Sequence, residues 1–145
     1  MTFQILAPAA ALAMWSMIML LWLVATRLPA MAKLKLKPEN IVGGRGQDLD
    51  KVVPPKVAWK SHNYAHLMEQ PTLFYPVVIM LALMGQGEGL NLWLAWAYTG
   101  LRIAHSLWQA LVNTIPVRLL LFVLSTTALF GLCLHALIAA LHMHP

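Results

Sequence analysis

Charge is scarce in this sequence. Only 10% of its 145 residues are charged, and just five are acidic, while 60% are hydrophobic. Soluble domains carry about 25% charged residues. One water-solvated core of this length cannot hide so much apolar surface, so an ordinary soluble fold is excluded. Cysteine is nearly absent as well. Cys133 stands alone inside an apolar run, so no internal disulfide can form and no metal-ligand spacing surrounds it. The first apolar stretch lacks a basic n-region and a small-residue cleavage site. It is also longer than a signal's h-region of about 7–15 residues, so it reads as a retained helix. Strict polar–apolar alternation is missing too, which argues against membrane strands.

What is present is four apolar segments. A spanning helix needs about 20 such residues. The segments predict helices over about 3–26, 58–84, 90–113 and 115–141 of a single domain covering 1–145. The second is most apolar from Tyr64 to Met84 and is interrupted near Glu69, Pro71 and Pro76. Backbone groups in hydrocarbon must be satisfied internally, so the segments should be helical. Gly85–Gly89 and Asn113–Pro116 read as tight turns, which makes consecutive helices antiparallel neighbours. The expected fold is all-α and integral to the membrane: a four-transmembrane-helix bundle, up-down-up-down.

The net charge of +5 does not point to nucleic acid. Eight of the ten Lys and Arg lie between Arg27 and Lys60, mostly on one basic loop over about 27–57. Positive charge prefers the cytoplasmic side. That places both termini on the non-cytoplasmic side. Lys33, Lys35 and Lys37 are expected to meet anionic lipid headgroups. The Ala-, Leu- and Trp-rich composition favours a bacterial inner membrane over the endoplasmic reticulum.

Ionisable residues inside spanning segments are costly and usually face the bundle interior. Arg102, His105, Ser106, Gln109 and Asn113 recur at helical spacing and form a polar stripe on the third segment. His62, His66, Glu69 and Gln70 form a shorter one on the second. Glu69 and Arg102 are expected to pair, because neither charge is stable alone in hydrocarbon. With His105, Gln109 and Arg118 they either fix helix register or line an anion-binding cleft beside lipid. His135, His142 and His144 do not have the spacing of a metal site, and no metal is expected.

Three strings carry a resemblance. They are His66-Leu-Met-Glu69-Gln-Pro-Thr-Leu-Phe-Tyr75, Tyr98-Thr-Gly-Leu-Arg102-Ile-Ala-His105-Ser106, and Asn113-Thr-Ile-Pro-Val-Arg118. Together they resemble the MAPEG family, the membrane-associated proteins in eicosanoid and glutathione metabolism, and most of all its bacterial members. The resemblance implies a four-helix homotrimer with sites between subunits. It implies glutathione held by His66, Glu69, Arg102, His105 and Arg118, with Arg118, Ser106 and Gln109 as catalytic groups stabilising its thiolate. The implied activity is that of a glutathione-dependent transferase or peroxidase acting on lipophilic electrophiles drawn from membrane lipids. His66 stands where the family has Asn, Gln109 where several members have Tyr, and Leu119 where some have Ser. A non-catalytic lipid-binding scaffold of the same family therefore stays open, as does a small membrane protein whose intramembrane charges are purely structural.

Overall fold

The computed structural model describes residues 3–34 and 42–142, so Lys35, Lys37 and His144 lie outside the described residues. The described residues are helical, with no strand among them. The helices are α1 (Leu6–Lys33), α2 (Pro55–Glu69), α3 (Pro71–Leu83), α4 (Gly89–Leu111) and α5 (Ile115–His142). A short 3-10 helix, Gly46–Lys51, lies between α1 and α2. α1 and α5, with 28 residues each, are long and apolar enough to cross a membrane. Their outward side chains remain apolar: Leu21 is 66% exposed and Phe130 69%. Such a surface is unsuited to water and suited to lipid.

Helix limits differ from the expected ones for local reasons. α1 continues past Thr26 to Lys33 because Leu28, Ala30, Met31 and Ala32 are good helix formers. Pro29 within it removes only one backbone bond. α2 begins at Pro55, a proline in the first turn, where a missing N–H is harmless. The connection expected over about 27–57 is therefore helical at both ends. The second segment is two helices. Pro71 has no N–H to offer the Leu67 carbonyl, and the ladder breaks at Gln70. Thr72 Oγ1 then donates to the Glu69 carbonyl at 2.5 Å, while the Leu73 N–H turns to the Gln70 carbonyl at 3.0 Å.

The tight turns use residues that tolerate positive φ. Gly85 (φ 70°) closes α3 and Gly89 (φ 54°) opens α4, and Asn113 (φ 62°) reverses the chain between α4 and α5. Asn is among the few non-glycine residues that visit this region readily.

α4 is the central element. Asn91, Ala95, Tyr98, Thr99, Arg102, His105, Ser106, Gln109 and Ala110 are all buried, at helical spacing. Its apolar part meets Phe74, Val78, Leu81, Leu129 and Leu132, with the Phe74 and Tyr98 rings 4.4 Å apart. Two hydrogen bonds join α4 to α1: Trp15 Nε1 to Ser106 Oγ at 2.9 Å and Thr99 Oγ1 to the Pro8 carbonyl at 3.0 Å. Gln70 bridges onward, since its Nε2 donates to Thr126 Oγ1 on α5 at 2.9 Å. Ser106→Ala leaves the Trp15 indole N–H without its acceptor. It should lower stability by about 0.5–2 kcal/mol in a detergent unfolding titration. An unchanged midpoint would show that the bond does not hold α1 in place.

Candidate functional site

The buried polar stripe of α4 does not act as one surface. Ser106 and Gln109 are completely or almost completely buried, and Ser106 faces Trp15 of α1. Arg102 and His105 face α2 and α5 instead. The Arg102 Nη2 donates to the His66 carbonyl at 2.7 Å, in the last turn of α2. A cation is favoured there because the C-terminal carbonyls of a helix carry partial negative charge. The guanidinium carbon lies 5.9 Å from the Phe122 ring centroid of α5, at cation–π range.

The expected Glu69–Arg102 pair does not form. Glu69 is on the exposed face of α2 and lines a separate cavity of about 600 Å³ with Arg27, Arg45, Ser61 and Tyr64. Arg27 organises that side. Its Nη2 lies 3.2 Å from Asp50 Oδ1, Nη1 donates to Ser61 Oγ at 3.1 Å, and Nη2 also donates to the Gly46 carbonyl. Asp50 Oδ2 lies 3.4 Å from His62 Nε2 as well, so the 3-10 helix is pinned to both α1 and α2.

A second cavity, of about 420 Å³, is lined by His66, His105, Ile115, Arg118, Leu119 and Phe122. The His66 and His105 rings stack with centroids 5.8 Å apart and planes within 10°. Arg118 is anchored by its Nη1, which donates to Asn113 Oδ1 at 2.7 Å. Its buried Nε has no partner. Arg102 lies behind this wall, 1% exposed, with Nε and Nη1 also unpartnered. Buried donors without acceptors are rare and costly. One of them, Arg118 Nε, belongs to a residue that lines the cavity, and the two of Arg102 lie behind His66 and Phe122. Ile115, Leu119 and Phe122, on α5 beside Arg118, are the apolar part of the cavity lining.

His66, His105 and Arg118 thus share a cavity, with Arg102 immediately behind it. Glu69, Ser106 and Gln109 do not reach its wall. Phe122 was not singled out from the sequence, although it lies one helical turn after Arg118. The Asn113–Arg118 contact is not legible in the spacing, which puts Asn113 on the polar stripe of the third segment and in the turn after it.

The described residues are helical, with an apolar exterior on α1 and α5 and a cavity lined by Arg118 at one end of α4, the build of a membrane protein. The MAPEG family profile matches residues 5–138, nearly the whole chain, and the chain belongs to that family. It is accordingly an integral membrane protein. No curated protein sequence and no solved structure matches it.

If Glu69 and Arg102 are independent, Glu69→Gln and Arg102→Met should be additive in a double-mutant unfolding cycle, within about 0.5 kcal/mol. A coupling energy well above about 1 kcal/mol would restore the pair.

Proposed function

We propose that this chain is a glutathione-dependent transferase or peroxidase of the MAPEG family, working on lipophilic electrophiles. The observation that carries the reading is a cavity lined by Arg118, whose buried Nε has no partner, beside the apolar Ile115, Leu119 and Phe122, with the unpartnered Arg102 Nε and Nη1 behind His66 and Phe122. Glutathione carries two carboxylates, and arginine forks match carboxylate geometry. When bound, glutathione supplies a thiolate nucleophile that attacks the electrophile or reduces a peroxide.

The chain's own residues then have defined tasks. Arg118, held in place by Asn113, supplies the cation that favours the thiolate form. Arg102 offers its two free donors to a carboxylate while its third nitrogen stays on the His66 carbonyl. The stacked His66 and His105 rings form the floor. Phe122, Leu119 and Ile115 exclude water and admit apolar substrate from the lipid. Ser106 and Gln109 act from behind, Ser106 by fixing α1 against α4. Glu69 contributes from the neighbouring cavity, beside Arg45.

The same reading places the protein in the membrane as four spans, with α2 and α3 forming one kinked span and both termini outside. It also includes a homotrimer and, by composition, a bacterial inner membrane. A reporter fused to the C-terminus should be non-cytoplasmic, and a cytoplasmic signal would overturn that topology.

A second reading has two contacts in its favour. Arg102 is engaged with backbone and Ser106 with Trp15, as in a scaffold that binds lipid without chemistry. Titration of purified protein in detergent with glutathione separates the two. Saturable thiolate absorbance and conjugation of an aryl halide are expected, with turnover falling about 100-fold in Arg118→Ala. Absence of binding at millimolar glutathione removes the enzyme reading and leaves the scaffold.

A further inference from the structure

Gln70 sits where the helix ladder breaks, and its side chain reaches two other helices. Its Nε2 donates to Thr126 Oγ1 on α5 at 2.9 Å. Its Oε1 accepts from the Tyr98 hydroxyl on α4, at a longer 3.4 Å. Thr126 in turn donates its hydroxyl proton to the Phe122 carbonyl at 2.7 Å. A threonine hydroxyl has a single proton, so toward Gln70 the Thr126 oxygen can only accept. That turns the amide nitrogen of Gln70 to Thr126 and leaves its amide oxygen for Tyr98. Each donor meets an acceptor, from Tyr98 through Gln70 and Thr126 to Phe122.

The same three residues stand in register with the cavity. Each lies one helical turn, about 6 Å along the axis, from a residue at the site. Gln70 follows His66, Thr126 follows Phe122, and Tyr98 precedes Arg102. Those site residues also meet one another. Arg102 Nη2 donates to the His66 carbonyl at 2.7 Å, and its guanidinium carbon lies 5.9 Å from the Phe122 ring centroid. A polar layer of Tyr98, Gln70 and Thr126 therefore backs a site layer of Arg102, His66 and Phe122. Pro71 removes a backbone bond that would otherwise fix the end of α2. The Gln70 side chain supplies bonds to α4 and α5 in its place.

We propose that Gln70 is a positioning residue for the site: through Thr126 and Tyr98 it sets the spacing of His66, Phe122 and Arg102. The kinetic consequence rests on the glutathione reading, whereas the spacing does not. Arg118 is held separately by Asn113. Gln70 therefore acts on how the ligand's carboxylates are placed and not on the cation beside its thiolate.

The test pairs a structural readout with a kinetic one, on the full chain in detergent. The imidazole NMR resonances of His66 and His105, assigned by replacing each histidine in turn, report on the site layer. Those of His135 report on the far end of the bundle. In Gln70→Met and in the near-isosteric Thr126→Val, the His66 and His105 resonances should shift while those of His135 stay in place. The KM for glutathione should rise about tenfold in both, with kcat within about threefold of wild type. Thr126→Ser keeps the hydroxyl and should match wild type in both readouts. Gln70 and Thr126 are only half-buried, so their replacement does not threaten folding. Unmoved His66 and His105 resonances in both Gln70→Met and Thr126→Val would overturn the proposal. So would a Thr126→Ser protein as disturbed as Thr126→Val. Resonances that shift as expected, in a protein that never saturates with glutathione, would support the positioning role and remove the glutathione reading alone.

Discussion

Arg102 is a cation held almost out of reach of solvent, and the carbonyl of His66 is what holds it there. The break at Pro71 ends α2 inside the protein, where its terminal carbonyls need partners. A guanidinium supplies donors and complements the negative end of the helix at once. The contact ties α2 to α4, and Phe122 brings α5 against the same group. One buried side chain therefore sets the relative positions of three helices. Two of its own donors stay unpartnered behind His66 and Phe122, which line the cavity that Arg118 enters.

The two ends of α4 differ in chemistry. At one end, Arg118 and the stacked His66 and His105 rings line a cavity, and the Arg27–Asp50–His62 cluster fastens the 3-10 helix to α1 and α2. At the other, the Asn91 side chain joins the Gln86 carbonyl to His135 Nδ1 on α5. The middle is apolar, built on Phe74 against Tyr98. Lipid surrounds such a protein, so polar groups survive only where they find partners within it. Among the described residues, α4 carries six of the nine buried polar side chains, between Asn91 and Gln109.

Much of this was legible in the sequence. The spacing of Arg102, His105, Ser106 and Gln109 identified the polar face of α4, because helical periodicity is a local property. The glycines around Gly85–Gly89 and the reversal at Asn113 were legible for the same reason. The partner of each polar group was not. Glu69 and Arg102 looked matched by charge, yet the backbone carbonyl of His66 is nearer to the guanidinium and Glu69 faces the loop. Periodicity also grouped Ser106 with His105, although one faces α1 and the other α2. Adjacent residues on a helix differ by about 100° in direction, enough to reach different neighbours. The division of the second segment at Gln70 was visible as prolines but not as two helices.

On the proposed function, Arg102 serves the fold with one nitrogen and a ligand with the other two. The most direct measurement is the unfolding stability of wild type and of Arg102→Met, each with and without saturating glutathione. A ligand that binds only the folded state at about 100 times its Kd stabilises it by about 2.7 kcal/mol. The expected result is a stabilisation near that size in wild type and little or none in Arg102→Met. Equal stabilisation of both proteins would contradict the claim and leave Arg102 a purely structural cation.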